Sequence, residues 1–242
     1  MKKKQRETHT GAGRLARALY LFVVVSFVGP IVYLLIRMAA GGLPEGGAGN
    51  HSRADYVLML VECVLGLSVI NLPVLLSKKL RFELPVVLYV LYIVFLYCAI
   101  FLGEVQSFYY LIPHWDVFLH AFSSVLVGLF GFMVVTILNR DERIVVRLSP
   151  FFVSLFAFSF AATIGALWEV YEFAFDGFLG LNMQKFITAD GTVLIGRAAL
   201  TDTMKDIIVD LLGALAASVI GYVSIKNEKL WFVATLTDRA SD

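Results

Sequence analysis

Charge is scarce in this sequence. Of its 242 residues only 16% are charged, while 59% are hydrophobic; soluble domains hold about 25% and about 45–50%. A water-soluble chain of this length needs more polar residues to cover its surface, so a soluble globular fold is excluded and a bilayer becomes the natural solvent. Cysteine is nearly missing too. Cys63 and Cys98 lie inside apolar runs, where cysteine behaves as a small core residue, so neither a disulfide nor a thiol site is expected. Also lacking are a phosphate-binding loop, a cofactor fingerprint, a nucleophile motif, an internal repeat and a soluble domain. The net charge of +1 gives no reason to expect nucleic acid as a partner.

What the chain has instead is apolar stretches of about 20 residues, the length that crosses a hydrocarbon core. Six run over 18–38, 56–76, 85–103, 117–138, 148–174 and 204–225. Gly29-Pro30 in the first predicts a kink rather than a stop, and Asn71 and Pro73 interrupt the second near its end. Tyr109, Tyr110, Trp115, Trp168 and Tyr171 sit where headgroups would meet aromatic rings. The first run exceeds the core of a signal peptide, about 7–15 residues, and is expected to remain as an anchor, although Ala39-Ala40 offers small residues for cleavage.

Orientation follows from lysine and arginine. Fifteen of the 20 fall on one side, in segments 1–17 and 226–242, at Lys78, Lys79 and Arg81, and at Arg140, Arg143 and Arg147. Arg37, Arg53, Lys185, Arg197 and Lys205 fall on the other. The positive-inside rule then predicts an all-α, polytopic helix bundle of six spans. A basic cytoplasmic N-terminus (1–17) leads into the transmembrane domain (18–225), and a cytoplasmic tail (226–242) follows. The expected location is the inner membrane, multi-pass, with the lipid bilayer as first partner. Gly41–Asn50 reads as a flexible link. Gly177–Thr203 is the long outer connection, expected to fold over a site as a lid or re-entrant segment.

On that topology the acids segregate. Glu62, Glu104, Asp116, Glu169, Glu172, Asp176, Asp202, Asp206 and Asp210, with His114 and His120, all fall in the outer half of the membrane or at its edge. Residues three, four or seven apart share a helix face. Asp116 and His120 are four apart, Glu169, Glu172 and Asp176 three and four, and Asp202, Asp206 and Asp210 four and four. A charge at the bilayer centre costs at least about 2.5–3.5 kcal/mol, so the three stripes should face one another rather than lipid.

Repulsion among so many carboxylates has to be offset, by shared protons or by bound divalent cations. Mixed histidine and carboxylate ligation suits zinc, manganese or iron better than magnesium or calcium. The expected metal ligands are His114, Asp116, His120, Glu172, Asp206 and Asp210. The carboxylates expected to act in catalysis are Glu169, Glu172 and Asp210, and no organic cofactor is expected. His114, ahead of its span, fits an ordinary interfacial residue equally well. Asp176 and Asp202 read as caps or rim residues, Asp202 as an N-cap. Glu62 is near enough to the outer face to reach the cluster, and Glu104 reads as a helix end. Ser123 and Ser124 should bond to the preceding turn rather than act as nucleophiles, and Gly131, Gly165, Gly213 and Gly221 should allow close helix approach.

The stretches HWDVFLHAFSS (114–124), GALWEVYEFAFD (165–176), NMQ (182–184) and LTDTMKDIIVDLLGALAAS (200–218) resemble the YjdF-like family of bacterial inner-membrane proteins. The likeness covers most of the second half of the chain. The order Asp116/His120, Glu169, then Asp206 with Gly213-Ala214 is more loosely similar to VanZ-like membrane proteins, which implies a cell-envelope role associated with glycopeptide tolerance. The chain departs from that second pattern at Asp210, where it has asparagine, and at Glu172, where it tends to glutamine. Three functions therefore stand. The first is a metal-dependent hydrolase acting on a lipid or envelope precursor. The second is a transporter coupled to cations or protons, and the third an envelope protein whose polar cluster is structural.

Overall fold

Six apolar runs become six helical spans. In the computed structural model, which describes residues 2–40, 53–80, 84–140 and 148–227, every span is helical and no strand forms among the described residues. The candidate spans are Gly13–Ala39, Arg53–Lys79, Val86–Val105, Trp115–Val135, Pro150–Leu179 and Arg197–Lys226. The glycine-rich 41–50 link, Arg81, Arg143, Arg147 and the 231–242 tail lie outside the described residues. The helices cluster as two units, Met1–Ile112 and Pro113–Asp242.

In the first unit, α1 (Lys2–Ala39) runs on through Pro30. Its buried residues Ala16, Val23, Phe27 and Leu34 recur at intervals of seven and four, one helical face. That face packs with Cys63 and Ile70 and with Ile93, Leu96 and Ile100. Cys63, buried, and Cys98, half-buried, are free thiols. The second span breaks into α2 (Arg53–Val69) and α3 (Leu72–Leu80). Pro73 has no N–H to give the Val69 carbonyl four residues back, and the Tyr92 hydroxyl donates to that carbonyl instead, at 2.8 Å. The third span is α4 (Val86–Leu96) followed by a π-helical segment, Tyr97–Val105. Glu62 is half-buried on α2, and Glu104 is buried in the π-helical segment. A four-residue helix α5 (Phe108–Leu111) ends the unit.

The second unit is three long helices, α6 (Trp115–Arg140), α7 (Pro150–Leu179) and α8 (Arg197–Lys226), each packed on the other two. Ser149 caps α7 by accepting from the Phe152 amide, and Gly180 ends it at φ 65°. Glycine sits where the helices cross. A Cβ at Gly131 would meet the Ala157 backbone, one at Gly213 the Ser124 side chain, and one at Gly221 the Phe132 ring. Phe132, Val135, Val153 and Ala157 fill one end. Outward, α7 and α8 present Phe151, Leu155, Leu167, Leu212, Leu215 and Val219 exposed, a surface suited to hydrocarbon and not to water.

The connection between α7 and α8 is shorter than the sequence suggested, because both helices extend beyond the apolar runs. It covers 180–196 and contains no re-entrant helix; it is a small hairpin-like fold with one antiparallel bridge, Ile187 to Val193. Asp176 holds it, accepting from the Met183 amide at 2.7 Å and the Gln184 amide at 3.0 Å. The Asn182 side chain brackets Ile187 through both its N–H and its C=O. Gln184 donates to Thr203 Oγ1 at 3.0 Å, tying the fold to α8. At its tip, hydrogen bonds from the Thr188 hydroxyl and Thr192 hold the Asp190 carboxyl below its usual range.

Candidate functional site

The end of the second unit nearest this connection is polar. α6 leaves it, α7 returns to it and α8 starts from it, so residues early in α6 and α8 meet residues late in α7. Asp206 lies about 14 Å and Asp210 about 20 Å along α8 from its start at 1.5 Å per residue. Four side chains there are buried in spite of their chemistry: His120 at 6% exposure, Glu169 at 5%, Asp206 at 6% and Asp210 at 3%. Asp116 is half-buried beside them.

His120 is the centre of the group. Its Nδ1 lies 3.2 Å from Asp210 Oδ2. With that nitrogen as the donor, Nε2 is left with a lone pair, and it faces Glu169 Oε1 at 3.7 Å and Asp116 Oδ1 at 3.8 Å. Ligand atoms of Asp116, His120 and Asp206 all lie within 4.8 Å of one another. The Nε2 separations are too long for hydrogen bonds. They are short enough for an ion to bridge, since two bonds of about 2.0–2.1 Å can span up to about 4.2 Å. Two buried oxygens in the group, Glu169 Oε1 and Asp210 Oδ1, have no hydrogen-bond partner. A buried carboxylate oxygen left unsatisfied is costly and calls for an explanation.

Gly165 is part of this geometry. A Cβ at that position would meet the Asp210 carboxyl, so only glycine lets α7 come close enough to α8 for Asp210 to stay on the imidazole. Ser123 and Ser124 donate to the carbonyls of His120 and Ala121. They brace the helix, as their spacing predicted.

The other residues expected at the site are placed as follows. Asp210, expected to ligate metal or to act in catalysis, lies on the Nδ1 side of His120, where an orienting carboxylate would sit. Glu172 lies one helical turn beyond Glu169 and accepts from the Trp168 indole at 2.8 Å; it is not among the converging ligand atoms. His114 is exposed at φ 61° ahead of α6, also outside that group. Asp202 is no N-cap, because α8 begins at Arg197 behind Gly196 and places Asp202 in its second turn. Asp176 neither caps nor rims its helix but anchors the connection. Sequence reading missed the bracing roles of Asn182 and Gln184, whose one signal was the NMQ motif within the resemblance.

A cavity of about 740 Å³ opens between α7 and α8, with Glu169 in its wall together with Gln184 and Phe186 of the connection. The long connection thus does contribute to the site's surroundings, as a wall rather than as a re-entrant helix.

Comparison with known proteins supports the membrane assignment. Residues 31–227 match the profile of a family described as predicted membrane protein (DUF2238). A protein of Thermotoga maritima named "Uncharacterized protein" is 31% identical over 133 residues, 54% of this chain and 59% of that protein. The chain therefore aligns with less than two thirds of that relative's length. No solved structure matches. The matched segment contains five of the six spans whole and the entire His120 group, and the chain belongs to the DUF2238 family of predicted membrane proteins.

Proposed function

We propose that the His120 group binds one divalent metal ion and makes this multi-pass membrane protein a hydrolase acting on a lipid or envelope precursor at the outer leaflet. The observation that carries the reading is His120 held on Nδ1 by Asp210 while Nε2 faces the half-buried Asp116 and the buried Glu169, whose Oε1 has no hydrogen-bond partner. His120 Nε2, Asp116 and Asp206 are the ligands, and zinc, manganese or iron is the ion such a set takes. When bound, the ion supplies Lewis acidity to an ester or phosphoester oxygen and acidifies a water. Asp210 fixes the imidazole tautomer. Glu169 takes the proton from the attacking water and returns it to the leaving oxygen as the ester bond breaks. Orientation toward the outer leaflet rests on the lysine and arginine asymmetry. The YjdF-like resemblance agrees with the matched family, whereas the VanZ-like likeness rests on its motifs alone.

A conducting path through the second unit would have to continue past Asp210, where Phe132, Val135, Val153 and Ala157 pack instead; this favours a closed cup over a transporter. The test is elemental analysis of protein purified in mild detergent. Wild type should carry about one metal ion per chain, and His120→Ala combined with Asp206→Ala should carry essentially none. Metal-free wild-type protein that is folded and stays metal-free after incubation with zinc, manganese or ferrous ion would overturn the reading.

A further inference from the structure

The cavity beside Glu169 carries charge of one sign. Its lining runs from Glu169 and Ile207 to Asp176, Ala199, Leu200 and the connection, beyond the apolar runs, so an occupant lies on the water side of the His120 group. Val170, Phe173 and Leu200 are exposed, which makes it a groove open along that side. Among the described residues of its lining, Glu169 and Asp176 are acids and none is a lysine, arginine or histidine. Asp176 accepts an amide on each oxygen, the bonding pattern of a carboxylate. Glu169 is buried, and its Oε1 has no hydrogen-bond partner. Lys185, between the lining residues Gln184 and Phe186, interacts electrostatically with Glu172 and Asp202, acids outside the lining. Behind Glu169 stand Asp116, Asp206 and Asp210; formally, the carboxylates of this group outweigh the one divalent ion proposed there. A cleft lined by one sign of charge concentrates the opposite sign, so the groove suits a cation.

The walls decide which kind. Val170, Phe173, Phe186, Leu200 and Ile207 are apolar. Of the polar groups, Asp176 is committed to the connection's amides and Gln184 to Thr203. Such a wall cannot replace the water that a metal ion or a primary ammonium would give up on entry. A quaternary ammonium has no N–H to satisfy and is attracted to aromatic faces, and Phe173 and Phe186 supply two rings. The volume, about 740 Å³, falls within the range of about 300–1,000 Å³ for small-molecule sites. It has room for an ammonium group with an aromatic or alkyl substituent.

We infer that the groove between α7 and α8 binds a quaternary ammonium group. This rests on the proposed reaction centre only in naming that group as the head of its substrate, on the water side of the bond that is cut. An anionic head has no partner in the groove, so the assignment also states what the site rejects.

The test uses the full chain in dodecyl maltoside micelles, which carry no charge and no ammonium. The probe is benzyltrimethylammonium with a diazirine on its ring. Its controls are the same aryl diazirine bearing a sulfonate, and the uncharged isostere with carbon in place of nitrogen. After photolysis with the ammonium probe, peptides bearing Val170 and Phe173 or Leu200 and Ile207 should carry several-fold more adduct than those bearing Phe151 and Leu155 or Val219 and Val223. Excess unlabelled benzyltrimethylammonium should abolish that difference, and neither control probe should reproduce it. Ala199→Trp, which fills the groove, should remove it; Leu215→Trp, on the exposed apolar face, should keep it. Leu200→Trp serves in place of Ala199→Trp if that variant does not fold. Equal groove labelling by the sulfonate or the isostere, or an excess that survives a folded groove-filling variant, would overturn the inference. Metal content measured on the same samples separates the two claims. Bound metal with no charge-selective labelling sinks the ammonium site alone, and charge-selective labelling of protein that stays metal-free sinks the hydrolase reading alone.

Discussion

The two units of this protein spend their polar atoms differently. In the first, polar side chains repair the backbone and one another: the Tyr92 hydroxyl supplies the Val69 carbonyl, Ser68 donates to Val64, and Asn71 donates to the Tyr20 hydroxyl. The first of these answers a need created by a bilayer, where a carbonyl left unpaired cannot turn to water. In the second, His120, Asp116, Glu169, Asp206 and Asp210 converge on one another, and two buried oxygens of this cluster have no hydrogen-bond partner. Polarity that repairs a helix is explained once the repair is found. Polarity that is buried, clustered and unspent has no such explanation within the chain, and the proposed metal ion would supply one.

The comparison breaks most directly by emptying the second unit of its ligands. His120→Ala with Asp206→Ala should lower bound metal from about one ion per chain to none, while Tyr92→Phe in the first unit should leave metal content unchanged; elemental analysis of both checks the contrast. Next in size is Asp210→Ala. Removing the carboxylate that holds the far nitrogen of a liganding histidine costs about 10–100-fold in metal affinity, measurable by competition with a chelator. Asp210→Asn should lose less than Asp210→Ala, because an amide oxygen can still accept from Nδ1. Equal affinity in all three proteins would remove Asp210 from the site.

Much of this was legible in advance, for physical reasons. Long apolar runs read as spans because length and hydrophobicity decide insertion. The intervals 116/120, 169/172/176 and 202/206/210 read as faces because a helix fixes the angle between residues. Roles inside the cluster were not legible. Asp206 and Asp210 are one turn apart on the same stripe, and only the position of α6 against α8 sets Asp210 on Nδ1 of His120 and groups Asp206 with His120 and Asp116. Glu169 and Glu172 were equally open in the sequence; the Trp168 indole, one turn back on α7, engages Glu172. Helix ends were misjudged for a different reason. Helix α8 begins ahead of its apolar run and includes Arg197, Thr201, Asp202 and Thr203, polar residues that hydropathy does not register as helix, and so Asp202 fell inside α8 rather than at its cap.

Smaller effects sharpen the same contrast. Asp176 is a polar group of the second unit with both oxygens spent, each on an amide of the connection. Asp176→Ala leaves those amides without acceptors and should raise the free energy of that segment by about 1–3 kcal/mol. Hydrogen exchange at Met183 and Gln184 should speed accordingly, with metal content retained. Loss of metal together with the connection would mean that this segment supports the ligands as well as walling the groove.

The smallest effect belongs to the first unit. Tyr92→Phe removes only the hydroxyl that donates to Val69 across the break before Pro73. Proline cannot supply the missing bond, and water is excluded, so the carbonyl would stay unpaired unless α2 and α3 shift. A net hydrogen bond is worth about 0.5–1.5 kcal/mol, and a buried acceptor left unmade lies toward the upper end of that range. Unfolding of the variant in detergent should show a destabilisation of that size. Replacing Pro73 with alanine in the same background should restore most of the loss, because the new N–H at position 73 can reach the Val69 carbonyl as an ordinary helical bond. A Tyr92→Phe variant that Pro73→Ala does not rescue would mean that the hydroxyl does something other than stand in for the missing amide.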